Sequence, residues 1–250
     1  MGDVQLHYSN LLAKHYTWMF GTSFAAKVGE QKTILEDALQ TADGFVPGLA
    51  VDLGCGPGFQ TIALCEMGYS PVLALDTSEV LLEELQSHVG NLHVQTICSD
   101  LSKLNEFVSS ATADVIVCMG DTITHLDSKD AVEDLLHSVF AALAPGGNFI
   151  VSYRDLSAEA TGLDRFITVY ADPDAIMTCF LEFDRPETVL VHDLVYSREG
   201  QQWLLHKSCY RKLRLSIDWL ENAMVRAGFV LQRGQAGRLL RLVGHKTVAG

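Results

Sequence analysis

The segment Val51-Asp52-Leu53-Gly54-Cys55-Gly56-Pro57-Gly58-Phe59-Gln60 places alternating glycines between an apolar run and a helix-forming stretch. Glycines there allow a tight turn and let a ligand approach the backbone with no Cβ in the way. The helix that starts near Phe59 offers its N-terminus to a small anionic or polar group. Three carboxylates accompany the loop. Asp52 stands directly before it, Asp76 closes the next apolar run, and Asp100 follows the third in Cys98-Ser99-Asp100-Leu101. Asp76 is placed to accept two hydrogen bonds from a ribose diol, and Asp100 to accept from an adenine amino group. Each acid alone could be a turn or helix cap. At successive strand ends beside one glycine loop, they describe a crevice for a nucleoside.

A nicotinamide dinucleotide fits this pattern poorly. The third glycine is Gly58, giving G-x-G-x-G, where the dinucleotide fingerprint has its glycine at the position of Phe59. Asp52 would also meet a pyrophosphate unfavourably, whereas an acidic mouth suits a cationic cofactor that carries no phosphate.

The elements that position these residues follow from hydrophobic pattern. Apolar runs at 49–53, 72–75, 92–97 and 114–118 alternate with helical stretches, which reads as buried parallel strands with crossover helices, an α/β doubly wound arrangement. Val132, Leu135, Leu136, Val139, Phe140 and Leu143 share one helical face after a cap at Ser128, Ala144-Pro145-Gly146-Gly147 stops that helix, and a fifth strand follows at 149–153. Beyond Arg154 the pattern turns β-rich at 175–183, 188–197 and 202–215, three strands with no helix between them and so antiparallel. A helix over 217–227, capped by Ser216 and ended by Gly228, leads to two short final strands.

Through V-D-L-G-C-G-P-G, the L-D-T-S after the second strand, the S-D-L after the third and the L-A-P-G-G before the fifth, residues 49–153 resemble the class I S-adenosylmethionine (SAM)-dependent methyltransferases. The resemblance implies a Rossmann-like, seven-stranded, mostly parallel sheet whose last strand is antiparallel. It also implies SAM as cofactor, S-adenosylhomocysteine (SAH) as product, and a cofactor site formed by Asp52, Gly54, Cys55, Gly56, Gly58, Asp76, Thr77, Asp100, Leu101 and Met119. The expected organisation is an N-terminal helical lid over 1–40, a SAM-binding core over 41–155, an antiparallel substrate cap over 156–215, and a helix and strands over 216–250 that complete the core sheet.

The acceptor should lie at the end of the fourth strand, in Cys118-Met119-Gly120-Asp121-Thr122-Ile123-Thr124-His125-Leu126, because ligands bind beyond the carboxyl ends of strands in such sheets. That segment and Tyr153-Arg154-Asp155 are similar to glycine and glycine/sarcosine N-methyltransferases, in which the arginine binds the substrate carboxylate. Carried over, this role falls to Arg154, while Asp121 replaces the asparagine that orients the amine. A guanidinium at the end of a buried strand needs a partner, either a bidentate carboxylate ligand or a salt bridge to Asp155, Asp121 or Glu159. His125 is a candidate base or hydrogen-bond anchor. Tyr16 and Trp18, in an aromatic stretch before the sheet, are candidates for a lid that excludes water, or else pack on the core; Tyr153 is a further candidate contact. The expected activity is N-methylation of a small amine that carries a carboxylate. The alternatives are O-methylation of a carboxylate or hydroxyl, and a non-catalytic SAM-binding regulatory module.

Composition narrows the partners. A formal charge of −13, from 31 acidic and 18 basic residues, repels a phosphate backbone, so no nucleic-acid partner is expected. One basic run, from His206 to Arg214, is either a solvated strand face or a gate for an anionic substrate. The six cysteines form no C-x-x-C pair and the nine histidines no H-E-x-x-H, so no metal is expected. There is no G-x-S-x-G nucleophile elbow. No apolar run is long enough to span a bilayer, and Met1 to Leu6 has no signal-peptide character, so the expectation is a cytoplasmic protein away from membranes, monomeric or a homodimer.

Overall fold

The computed structural model describes residues 3–39 and 46–248. Met1 and Gly2, and the expected boundary between residues 40 and 41, lie outside the described residues. The chain opens with a short helix α1 (Asp3–His7) and irregular helical turns at Tyr8–Leu12, Ala13–His15 and Trp18–Phe20, followed by α2 (Phe24–Leu39). Strands and helices then alternate: β1 (Ala50–Leu53), α3 (Phe59–Glu66), β2 (Val72–Asp76), α4 (Glu79–Val89), β3 (Val94–Cys98), α5 (Leu104–Phe107), β4 (Ala113–Cys118), α6 (Lys129–Ala142) and β5 (Leu143–Tyr153). Serine hydroxyls cap two of these helices, Ser78 accepting from the Leu81 amide and Ser128 from that of Ala131.

Four antiparallel strands come next, β6 (Phe166–Ala171), β7 (Ala175–Glu182), β8 (Thr188–Glu199) and β9 (Gln202–Leu213). Three strands are expected from the sequence. The fourth, β6, is an edge strand with almost every residue exposed, so it carries no in-and-out burial alternation to betray it. The chain closes with α7 (Ile217–Arg226), capped by Ser216, and the hairpin β10 (Val230–Ala236) and β11 (Leu239–His245). A second departure from expectation lies at Pro145-Gly146-Gly147, which belongs to the start of β5 and not to a turn before it.

The main sheet has seven strands in the order β10-β11-β5-β4-β1-β2-β3, with β11 antiparallel to β5. The pairs β1 with β2, β1 with β4, β2 with β3 and β4 with β5 are parallel. This is the Rossmann-like, seven-stranded, mostly parallel sheet with an antiparallel last strand that the resemblance implies. Strand β1 is buried along its whole length because helices cover both faces. On one face, residues of α2, α3 and α4, such as Leu35, Phe59, Ile62 and Leu85, pack together; on the other, Leu104, Leu135, Leu136, Leu220 and Met224 do so from α5, α6 and α7. The four-stranded sheet uses its alternation, with Val189, Val191, Asp193 and Val195 of β8 buried, to pack under the N-terminal turns, where Leu11 and Leu12 meet Met177 and Val195. No helix among the described residues is long and apolar enough to cross a membrane.

Two positions near β1 carry a measurable cost. Gly58 caps α3 at φ 97, and a Cβ there would stand 2.2 Å from Leu85 Cδ1. Gly58→Ala should therefore lower the unfolding free energy by about 2 kcal/mol, from left-handed strain and overpacking together, and an unchanged urea midpoint would refute this account of the loop. Asp52 is 1% exposed and accepts a 2.6 Å hydrogen bond from Thr61 Oγ1. Burial pushes its carboxyl up to about 7, against the hydrogen bonds from Thr61 that favour the charged form. Because the folded value lies above the unfolded one of about 3.9, this group's contribution is fully present below that pH and is lost as pH rises through about 7. Urea unfolding from pH 4 to 8 should show that loss in the wild type and its flattening in Asp52→Asn.

Candidate active site

Strands β1 and β4 are neighbours, and the chain runs from β1 away to β2 and β3 before returning to β4, so their carboxyl ends flank a topological switch point. A cavity of about 410 Å³ opens there. Its first wall is formed by Gly54, Gly56, Asp76, Thr77, Leu81, Asp100, Leu101 and Thr122. The loop after β1 is tied to β2, since the amides of Gly54 and Cys55 both donate to the Leu75 carbonyl, at 2.8 and 3.0 Å. It also touches the turn after β4, because a Cβ on Gly54, at φ 70, would lie 2.2 Å from Thr122 Cγ2.

Asp76 accepts from the Gly56 amide through Oδ2 and from the Ser78 amide through Oδ1, both at 2.8 Å. Burial raises its pKa, with these amides and that of Thr77 opposing the rise. Asp100 spends Oδ1 on the Ser102 amide and hydroxyl, at 2.9 and 2.7 Å. Each carboxylate oxygen has two acceptor positions, so both acids retain capacity for a ligand's donors. Bare backbone at Gly56 and two acidic acceptors fit a nucleoside cofactor that brings positive charge and no phosphate.

The opposite wall comes from three distant parts of the chain: Val4, Gln5, Tyr8 and Tyr16 from the N-terminal turns, His125, Leu126 and Asp127 after β4, and Arg185, Thr188, Arg211, Lys212 and Leu213 from the antiparallel sheet. The Tyr16 ring faces the glycine loop, 3.6 Å from where a Cβ on Gly56 would stand. Burial raises the Tyr8 and Tyr16 phenols well above their usual range, so both keep their protons. His125 is held between the Tyr8 ring at 5.9 Å and the Tyr210 ring at 5.5 Å, and its Nε2 is buried with no hydrogen-bond partner. Burial, with the Lys212 charge adding to it, lowers its pKa to about 3, so the imidazole is neutral at physiological pH.

Asp121 lies behind this wall. It adopts φ 77, a left-handed conformation that Asp and Asn tolerate better than most residues. Its amide donates to the Ser152 carbonyl at 3.1 Å and its Oδ1 accepts from the Arg154 amide at 2.7 Å. Its Oδ2 accepts from Lys212 Nζ at 3.1 Å and stands 3.8 Å from the Arg154 guanidinium. Burial alone would raise this carboxyl, but Lys212 and Arg154 outweigh it and hold it below the usual range.

Of the residues singled out in the sequence, Gly54, Gly56, Asp76, Thr77, Asp100, Leu101, Tyr16 and His125 line the cavity. Others support it from behind. Asp52 bonds Thr61, Cys55 is buried with its Sγ 3.6 Å from the Gly56 carbonyl, Gly58 packs on Leu85, and the Met119 carbonyl accepts from Thr122 Oγ1 at 2.9 Å. Three stand apart from the cavity wall. Trp18 donates to Asp172 at 2.6 Å and packs edge-on to Tyr170, joining the N-terminal turns to β6. Tyr153 is fully buried in the core on the α7 face of the sheet. The Arg154 side chain is 59% exposed and takes the salt-bridge alternative, with Asp121, while Glu159 pairs instead with Arg214. The basic run is divided: residues 202–207 are exposed, but Lys212 is buried on the cavity wall and Arg214 is buried against the carbonyls of Leu156, Ser157 and Arg185. Tyr8 falls within the expected lid over 1–40 and Thr122 within the expected acceptor segment, though neither is marked individually by the sequence, and no local pattern marks Arg185 or Thr188.

Residues 50–147 match the methyltransferase domain family. The chain is 26% identical over 219 residues to the glycine/sarcosine N-methyltransferase of Halorhodospira halochloris, covering 80% of this chain and 81% of that protein. Among solved structures it resembles the CcbJ methyltransferase of Streptomyces caelestis, with a TM-score of 0.75 at 21% identity over 97% of this chain and 98% of the other. It also resembles a SAM-dependent methyltransferase of Clostridium acetobutylicum ATCC 824, with a TM-score of 0.73 at 17% identity over 97% and 99%. Residues 50–147 carry a methyltransferase domain, the chain has the fold of SAM-dependent methyltransferases, and the protein is a methyl-transferring enzyme.

Proposed function

We propose that the enzyme N-methylates a small amine that carries a carboxylate. The observation that carries this reading is the His125 imidazole, neutral and lining the same cavity as the glycine loop, Asp76, Tyr8 and Tyr16. Bound SAM supplies an electrophilic methyl group. The protein's share is to hold the acceptor nitrogen with its lone pair directed at that group and to exclude water. Orientation needs acceptors for the amine N–H groups, and the Tyr8 and Tyr16 hydroxyl oxygens, with the neutral His125 ring beside them, offer them. A neutral amine forms the N–CH3 bond with its lone pair as the S–CH3 bond breaks, giving an N-methylammonium and SAH with no base needed, whereas a hydroxyl must lose its proton, and a base with a pKa near 3 is too weak to take it. This disfavours O-methylation of an alcohol.

In this reading Gly54, Gly56, Asp76, Thr77, Asp100 and Leu101 hold the cofactor, with Asp52, Cys55, Gly58 and Met119 shaping the loops behind them. The antiparallel insertion over 156–215 supplies the basic wall, and the segment over 1–40 covers the site with Tyr8 and Tyr16. The relative from Halorhodospira halochloris is named for glycine and sarcosine, small amines with a carboxylate, which supports the same acceptor class here.

Transfer of labelled methyl from SAM to glycine, sarcosine and β-alanine, beside ethanolamine, phenol and benzoate, tests the proposal. Transfer to the amino acids is expected, and transfer confined to oxygen acceptors would overturn it. The rate at low acceptor concentration should rise with pH until the acceptor amine is neutral, and His125→Ala should leave the shape of that profile unchanged, because His125 does not titrate near 6.5. His125→Ala should lower turnover about tenfold, the worth of one orienting hydrogen bond, while leaving SAH affinity in place.

A further inference from the structure

We propose that Lys212 is the residue that binds the acceptor's carboxylate and so determines which amines are accepted. This rests on the reading of the acceptor as an amine that carries a carboxylate. Lys212 reaches the cavity wall from β9 with its side chain 9% exposed. Its ammonium has three donors, and among the described residues Asp121 is its one hydrogen-bond acceptor. Two donors on a buried ammonium are thus unspent. The charges around it are also unequal. Lys212 and Arg154 share the single carboxylate of Asp121, at 3.1 and 3.8 Å, so the cluster carries a net positive charge, with Arg154 on its exposed side and Lys212 on the cavity wall. A buried ammonium with donors unspent is costly, and an anion entering the cavity offsets part of that cost.

The other cations are less suited. Arg211 has its guanidinium on both oxygens of Asp184, at 2.7 and 2.8 Å. Arg185 is 64% exposed, where solvent and salt screen its attraction. Arg154 is 59% exposed and off the cavity wall, so it biases the cluster through Asp121 without touching the ligand. His125, Tyr8 and Tyr16 line the same cavity, so an amine and a carboxylate on one small molecule find acceptors and a donor together. An ammonium is a point charge with rotating donors and sets no planar geometry, so it suits a range of carboxylates. Acceptors that lack an anion leave the Lys212 donors unspent, and acceptors with a second cation are repelled.

Acetate carries the carboxylate and no amine, so its binding tests the anchor apart from the methylation reading. Saturable binding of acetate to the SAH complex of the wild type, followed by line broadening of the acetate methyl signal, is expected. Lys212→Gln should weaken it at least about tenfold, Lys212→Arg should restore most of it, and Arg154→Gln should change it by less than about threefold. If Lys212→Gln unfolds because Asp121 is left buried and unpaired, the double variant Lys212→Gln/Asp121→Asn removes both charges; its unchanged SAH affinity would show an intact fold, and it too should lose acetate. No saturable acetate binding by the wild type would overturn the proposal, as would loss in Arg154→Gln with retention in the Lys212 variants. Methyl transfer to oxygen acceptors alone, with the acetate result as expected, would sink the amine reading and leave the anchor standing. Transfer to glycine and sarcosine, with no acetate binding by the wild type, would do the reverse.

Discussion

The Asp121 carboxylate is the point on which the arrangement of the site depends. Through Oδ1 it fixes the Arg154 amide, so the turn after β4 is bound to the end of β5; through Oδ2 it binds Lys212, so that turn is also bound to the antiparallel sheet. A buried ion pair is a poor source of net stability, since desolvation offsets most of the attraction. Its value here is geometric. An apolar pair of similar volume could hold the two sheets together, but it would not fix where a cationic group faces the cavity. The left-handed backbone at Asp121 adds a small strain that the Ser152 and Arg154 contacts hold in place.

That tie gives the cavity two electrostatically different ends. Asp76 and Asp100 lie at the glycine-loop end and favour a cofactor with positive charge, while Lys212, Arg211 and Arg185 lie at the other and favour an anionic group on the acceptor. A molecule with a cationic centre near the cofactor and an anionic tail is therefore oriented before it makes any directed hydrogen bond. In a chain with a formal charge of −13, a local cluster of this sign also stands against the overall field, which holds other anions away from the mouth.

The core was legible in the sequence because its signals are local. Continuous apolar strands, helix caps at Ser128 and Ser216 and the spaced glycines each depend on neighbours within a few residues. The cofactor wall was legible for the same reason, since Gly54, Gly56, Asp76, Asp100 and Leu101 all occupy strand ends that pattern alone locates. The acceptor wall is different. Tyr8, His125 and Lys212 come from segments at least 87 residues apart, and which face of β9 turns inward depends on how the insertion docks. Arg154 shows the same limit. Its position after β5 matched an expectation about substrate, but side-chain direction is set by packing, and a carboxylate next to it in space took the amide and part of the charge.

The neutrality of His125 follows from that packing and decides what kind of catalyst this is. A histidine against solvent would titrate near 6.5 and could take a proton from an acceptor. Enclosed between Tyr8 and Tyr210 with the Lys212 charge nearby, it is held to about 3 and cannot. The nearby carboxylate of Asp121 would raise it, but that charge is already shared by Lys212 and Arg154. In the proposed reading, the groups that draw a carboxylate to the wall are thus the ones that deprive it of a general base. Such a site suits a nucleophile that reacts without first losing a proton, as a neutral amine does and an alcohol does not.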